Sequence, residues 1–294
     1  MGKASIGGFP MPELLAWRVA SQPERRDWLA RLPGFVAEIA ERWELDVGKP
    51  FEPGGQCAWV APARAATGER LVLKIGWVHP EARCEADGLR FWAGNGAVFL
   101  HAAEQHGDTD ALLLERCEPG TQLAGLPEPD QDPVFCGILA RLWREPPAGH
   151  QFPLLTDMCR EWADTFEVED AADPVPVDPG IVRAGLELFR LLPESADREV
   201  LLATDLHAQN ILAAQRQPWL AIDPKPHVGD PTYDVLQYLI NSEWLVVDPV
   251  GLAGRLAEAL AVDLDRLLLW LFARCVQEVR DRPQLAAVAV RLAP

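Results

Sequence analysis

The chain has 294 residues, 44 acidic against 27 basic, with a formal charge of −17 and an isoelectric point near 4.7. That balance excludes a general nucleic-acid binder or a protein drawn to anionic membranes, because the phosphate attraction behind such binding has the wrong sign here. Apolar residues at 49% and charged residues at 24% are the proportions of a folded chain, long enough for one large domain or two smaller ones.

Of the 27 basic residues only Lys3, Lys49, Lys74 and Lys225 are lysines, so each place where the chain prefers Lys to Arg asks for a reason. The six cysteines (Cys57, Cys84, Cys117, Cys136, Cys159 and Cys275) lie far apart, with no C-x-x-C and no short Cys/His pair of the kind a zinc site needs. They read as buried free thiols in a reducing compartment. Ile6 stands where a myristoylation signal needs Ser or Thr. The longest apolar run, Leu267 to Ala273, is far short of the roughly 20 residues of a membrane span. A cytoplasmic protein is the expectation.

In chain order, Ser21-Gln22-Pro23-Glu24 is a capping-box pattern, and Trp28, Leu29 and Leu32 follow at helical spacing until Pro33-Gly34. Phe35, Ile39 and Trp43 predict a second helix. From Leu45 the period changes. Short segments at Leu45 to Phe51, Cys57 to Arg64, Leu71 to Ile75, Ala97 to Ala103 and Ala111 to Glu115, separated by turn residues, predict a meandering antiparallel sheet. A helix from Pro80 through Trp92 interrupts it. After Glu115 the chain becomes mainly helical, beginning with the apolar stripe Val134, Phe135, Ile138, Leu139, Leu142 and Trp143, which Pro146-Pro147 ends. A loop-rich acidic stretch, a helix around Ile181 to Leu192, short strands from Val200 to Asp223 and closing helices, including Asp263 to Val279, complete the order. The expectation is an α+β chain of two lobes: an antiparallel-sheet N-lobe over 1–116, a connector over 117–122 and a helical C-lobe over 123–294.

The most informative segment is Leu201-Leu202-Ala203-Thr204-Asp205-Leu206-His207-Ala208-Gln209-Asn210-Ile211-Leu212, followed by Trp219-Leu220-Ala221-Ile222-Asp223. Apolar strand-like runs lead into each polar cluster and would hold Asp205, Asn210 and Asp223 at the ends of rigid elements. Taken singly, each is an ordinary turn residue. Together they are what phosphoryl transfer needs: one carboxylate to accept the proton of an attacking hydroxyl, and an amide oxygen and a second carboxylate to hold Mg²⁺.

Lys74 lies in the strand-like run Arg70-Leu71-Val72-Leu73-Lys74-Ile75-Gly76, and a compact ammonium suits a phosphate oxygen. The next helix sets Glu81, Glu85, Leu89 and Trp92 on one face, with Glu85 the better placed to orient Lys74; both acids would serve equally well to solubilise the helix start. Upstream, Gly54 and Gly55 in Pro53-Gly54-Gly55-Gln56-Cys57 read either as a hairpin turn or as a loop whose backbone approaches phosphates; no Walker A pattern occurs.

The order Gly-rich turn, strand Lys, helix Glu, connector, Asp…Asn, Asp resembles the kinase-like aminoglycoside phosphotransferase family, in its branch of streptomycin 6-phosphotransferases and hydroxyurea kinases. The likeness covers nearly the whole chain and is most specific over Asp205 to Ala214 and Pro218 to Asp234. It implies a bilobal protein-kinase-like fold, ATP as phosphoryl donor with GTP as the alternative, Mg²⁺, and a small-molecule hydroxyl acceptor such as an aminoglycoside. By motif it makes Asp205 the catalytic base, Asn210 and Asp223 Mg²⁺ ligands, and Lys74 the nucleotide-phosphate lysine with Glu85 beside it. Backbone groups of Glu115 to Cys117 become the adenine-contacting hinge, and Asp230 and Asp234 brace the catalytic loop. The chain departs from the family in carrying Ala203 where His usually stands two residues before the catalytic Asp, which puts the rigidity of that loop in question. Lys225 beside Asp223 would reach a phosphate or substrate group, or be exposed in a Pro-stiffened loop.

Between Leu155 and Gly180 stand eight acids and one base, Arg160, read either as a solvated face or as a surface that attracts a cationic acceptor. Two other readings stand beside the kinase. One is a metal-dependent hydrolase using Asp205, His207, Asp223 and His227; the other is a non-catalytic nucleotide-binding regulator, suggested by Ala203.

Overall fold

Helix α2, Glu24–Arg42, carries Trp28, Leu32, Val36 and Ile39 on one face, each no more than 4% exposed. It runs unbroken through Pro33, where the spacing had predicted a stop. A mid-helix Pro costs about 3 kcal/mol, whereas each large apolar side chain on that stripe gains about 2 kcal/mol on burial, so one continuous helix over the sheet wins. The structure, a computed structural model, describes residues 5–6, 9–20, 24–79 and 83–294. Ser21 to Pro23 of the capping box, and Pro80 and Glu81 of the predicted helix start, lie outside the described residues.

The chain divides into two compact units, Met1–Gly120 with Ala214–Arg216, and Thr121–Ala213 with Gln217–Pro294. In the first, β1 (Ser5–Ile6) pairs with β2 (Phe9–Pro10), and α1 (Glu13–Ala20) precedes α2. The antiparallel sheet has the order β3-β4-β5-β7-β6, from β3 (Leu45–Val47), β4 (Ala58–Ala65), β5 (Arg70–Trp77), β6 (Leu100–His106) and β7 (Thr109–Glu115). Alternate residues Trp59, Ala61 and Ala63 of β4 and Leu73 and Ile75 of β5 form one core with the α2 stripe. Lys74, paired with Val60 and Leu112, therefore sits on the opposite sheet face. A one-residue slip of β5 would drive its ammonium into the α2 core, so burial fixes the register that presents Lys74. The helix between β5 and β6 is α3, Glu85–Trp92, with Glu85, Gly88, Leu89 and Trp92 buried.

The second unit holds α4 (Glu128–Leu142), α5 (Leu155–Ala172), α6 (Pro179–Leu191), α7 (Leu236–Ile240), α8 (Pro249–Leu260), α9 (Leu264–Gln277) and α10 (Leu285–Leu292). The acidic stretch predicted as loop is mostly helix: α5 buries Leu155, Met158, Cys159, Ala163 and Phe166 on one side and shows its acids on the other. Helices α6 and α9 approach so closely that a Cβ at Gly185 would lie 2.5 Å from Val276. Short antiparallel pairs β8 (Val200–Leu202) with β11 (His227–Gly229), and β9 (Ile211–Ala213) with β10 (Trp219–Ala221), lead into the polar loops. A sheet-and-helix first unit and a mainly helical second unit make an α+β architecture. Among the described residues no helix is long and apolar enough to cross a membrane.

Candidate active site

In the first unit Lys74 Nζ donates to both Glu85 oxygens, at 2.7 and 2.6 Å, with the two side chains only 12% and 5% exposed. Strand alternation delivers the ammonium to this face, and the first turn of α3, where the helix dipole favours a carboxylate, delivers Glu85. Asp110 lies close by; burial, then the Glu85 charge, push its carboxyl up to about 6, against the pull of Lys74. Two acids thus share one cation.

Gly54 adopts φ +84°, and a Cβ there would meet Pro12 Cβ at 2.5 Å; a Cβ at Gly55 would lie 3.1 Å from the Ala58 carbonyl. The chain's own packing therefore already requires Gly54. At the end of β7 the Glu115 carboxylate accepts Arg216 Nε at 2.9 Å and Nη2 at 2.8 Å, and the Phe99 N–H at 2.9 Å. Arg216 also donates to the carbonyls of Gly94 and Ala97, at 2.6 and 3.0 Å. Arg216 had no motif to mark it in the sequence. Burial, then the Glu115 charge, push the Cys117 thiol up to about 12, so it remains a neutral thiol at neutral pH.

In the second unit the buried strand β8 runs into Ala203-Thr204-Asp205, and Asp223 follows β10. Thr204 and Asp223 both lie in the left-handed region, at φ 50° and 53°. Such strain persists only where surrounding bonds over-determine it, and Asp234 supplies them. Fully buried, its carboxylate accepts Thr204 N–H at 2.7 Å, Ala203 N–H at 3.0 Å and the Trp143 indole N–H at 3.1 Å. The brace put in question by Ala203 is present, built from Asp234 onto the backbone. Asp230, by contrast, caps Thr232 and binds Arg266 and Trp270 of α9, at 2.7 and 2.6 Å.

Asp205, Asn210 and Asp223 come together around this loop. Asn210 Nδ2 donates to the Asp205 carbonyl at 3.1 Å, and the Asn210 carbonyl accepts the Ile222 N–H at 2.9 Å, tying the loop to the residue before Asp223. Gln237, at the start of α7, donates from Nε2 to Asp205 Oδ1 at 3.0 Å. The sequence held no sign of this contact, because Gln237 follows no motif and the partners are distant along the chain. Burial pushes the Asp205 carboxyl up, while the Lys225 ammonium and His207 oppose it. Burial lowers His207, against the neighbouring Asp205 carboxylate.

Asn210 and Asp223 suit Mg²⁺. The amide nitrogen of Asn210 is engaged with Asp205, which turns its oxygen away from that contact, and the Asp223 carboxylate is 39% exposed. Two hard oxygen donors, completed by water and phosphate oxygens, are a usual protein contribution to that ion. The hydrolase reading is corrected: among the described residues no group of three or more His, Cys, Asp and Glu is arranged to hold a metal ion. The His227 ring, 6% exposed, has Nδ1 3.0 Å from the Lys225 carbonyl instead.

A family model described as aminoglycoside/hydroxyurea antibiotic resistance kinase matches residues 42–280. The chain belongs to this family. It is 35% identical over 266 residues to a streptomycin 6-kinase of Streptomyces griseus, covering 86% of this chain and 84% of the relative. It is 37% identical over 270 residues to a hydroxyurea phosphotransferase of Kitasatospora aureofaciens, covering 87% and 76%. A choline kinase from Streptococcus pneumoniae superposes with a TM-score of 0.58 at 12% identity, over 88% of this chain and 97% of that one. The fold is therefore the bilobal, kinase-like phosphotransferase fold. The matched span contains the positions of Lys74, Glu85, Asp205, Asn210 and Asp223.

Proposed function

We propose that this antibiotic resistance kinase is an ATP- and Mg²⁺-dependent phosphotransferase that moves the γ-phosphoryl group to a hydroxyl of a small-molecule antibiotic, streptomycin-type compounds first among them. The observation that carries the reading is the Asp205 carboxylate, held by Gln237 on a loop braced by Asp234, with Asn210 and Asp223 alongside. The two relatives, a streptomycin 6-kinase and a hydroxyurea phosphotransferase, support it.

Asp205 accepts the proton as the acceptor oxygen bonds to phosphorus and the bond to ADP breaks; the loose transition state of such transfers makes positioning and charge the main contributions of the protein. Lys74, oriented by Glu85, holds a nucleotide phosphate oxygen. Asn210 and Asp223 would hold Mg²⁺, which would supply charge neutralisation for the phosphates. Most of the acids between Leu155 and Gly180 are engaged by groups of the second unit itself, which supports the solvated-face reading of that stretch. Asp164 and Glu167 pair with Arg190, Glu169, Asp170 and Asp173 lie at Arg280, and Asp178 caps α6.

ADP release coupled to a panel of streptomycin-type, other aminoglycoside, tuberactinomycin-type and small hydroxyl acceptors, hydroxyurea included, tests the reading. Stimulation by one class names the acceptor. Nucleotide binding with no stimulation by any of them would favour the non-catalytic regulator.

A further inference from the structure

Lys225 is built into the second unit with more care than a surface lysine needs. It lies in Asp223-Pro224-Lys225-Pro226, where prolines on both sides restrict the backbone. Its N–H donates to the Ala203 carbonyl at 2.8 Å, and its own carbonyl accepts the Thr204 hydroxyl at 2.6 Å and faces His227 Nδ1 at 3.0 Å. The peptide that carries the ammonium is thus tied to the two residues preceding Asp205. From that base the side chain, 13% exposed, turns back to Asp223, with Nζ 2.6 Å from Oδ1 and 3.3 Å from the backbone carbonyl oxygen. The same ammonium is first among the charges that offset the effect of burial on Asp205. One cation therefore serves both the base and a carboxylate offered to the divalent ion.

The choice of Lys carries information in a chain whose basic residues are nearly all arginines. A guanidinium would grip Asp223 with two parallel hydrogen bonds and stay there. An ammonium on a four-carbon stem makes a point contact and can leave it. A divalent ion binding at the same oxygen, Oδ1, displaces it, since two cations at contact distance from one oxygen repel strongly.

We propose that Lys225 is an exchangeable counter-ion: it neutralises Asp223 until the divalent ion binds there, then yields that carboxylate and brings its Nζ to the oxygens of the phosphoryl group in transit. This rests on the phosphotransfer reading above. Lys225 remains an ammonium throughout. The acceptor oxygen forms the new bond to phosphorus, the bond to the nucleoside diphosphate breaks, and the acceptor proton goes to Asp205, so neither proton nor electron is asked of Lys225.

The experiment measures Mn²⁺ bound to the nucleotide-free protein by electron paramagnetic resonance, for the wild type, Lys225→Met, Lys225→Arg and Asp223→Asn. It is paired with kcat and KM for transfer from MgATP to streptomycin. With its competitor gone, Lys225→Met binds Mn²⁺ about threefold or more tightly than the wild type, and Lys225→Arg binds it more weakly by a similar factor. Turnover of Lys225→Met falls about 30-fold or more, with KM for the acceptor changed by less than about threefold. A merely structural ion pair would not tighten metal binding when removed. Unchanged or weaker Mn²⁺ binding by Lys225→Met, or turnover within about threefold of the wild type, overturns the proposal. Should Lys225→Met not fold, an Arg variant with wild-type Mn²⁺ affinity overturns it. Asp223→Asn separates the two readings. If it keeps wild-type Mn²⁺ affinity, the metal-ligand role of Asp223 fails; if it loses Mn²⁺ while Lys225→Met gains none, only the counter-ion role fails.

Discussion

The amide nitrogen of Gln237 donates to Oδ1 of Asp205 at 3.0 Å, while the buried Gln237 amide oxygen has no hydrogen-bond partner among the described residues. A donor to the ionised carboxylate favours that form, against the burial that pushes the Asp205 carboxyl up. As the proposed base, Asp205 must be ionised to work, so the donor should widen the pH range of activity on the acid side. Gln237→Leu removes it and adds apolar surface. The acid limb of the kcat profile should then move to higher pH, because a hydrogen bond to the ionised form is lost. A variant whose acid limb stays in place while kcat falls would show that Gln237 orients the acceptor rather than the base.

Lys74 and Glu85 make a separable pair of predictions. Lys74→Met leaves the Glu85 carboxylate, 5% exposed, unpaired beside Asp110. Removing one partner of such a pair costs about 3 kcal/mol, and the phosphate contact goes with it, so KM for ATP should rise about tenfold or more. Glu85→Gln keeps a hydrogen-bond acceptor and relieves the repulsion on Asp110. It should melt near the wild type yet lose about tenfold in turnover, because Lys74 is no longer fixed. Urea unfolding and steady-state kinetics on both variants check this; equal loss of stability in the two would show the pair to be structural only.

Asp234 gives a pH dependence of defined sign. Burial lifts its carboxyl to about 6, against the three donors that favour the ionised form. A carboxyl whose folded value lies above its unfolded value contributes stability that is complete below about pH 4 and is lost as pH rises through about 6. Asp234→Asn has no proton to exchange. The stability difference between wild type and variant should therefore turn against the wild type by roughly 3 kcal/mol between pH 4 and pH 7. Urea unfolding of both proteins across that range measures it, and a difference independent of pH would contradict the assignment.

The sheet and the strand-and-loop segment around Asp205 were legible because local patterns carry them. Short apolar segments bounded by turn residues marked β4, β5 and β7, and the polar clusters of Asp205, Asn210 and Asp223 end apolar runs short enough to be strands. Pro33 misled because a local breaker was overruled by the burial of Trp28, Leu32, Val36 and Ile39 along one stripe. Leu155 to Ala172 misled because its acids hid an apolar face of five residues. The contacts of Gln237 with Asp205 and Arg216 with Glu115 join residues 30 or more positions apart. No local pattern encodes such pairs; they exist only once the chain has folded.

The central claim is that Asp205 takes the acceptor proton. ADP release and phosphorus NMR of the product, for wild type and Asp205→Asn with MgATP and streptomycin, test it most directly, with MgATP binding measured alongside. The wild type should give a phosphate ester, and the variant should show turnover lowered at least about 100-fold with MgATP affinity changed by less than about threefold. An Asp205→Asn protein that formed the ester at the wild-type rate would contradict it.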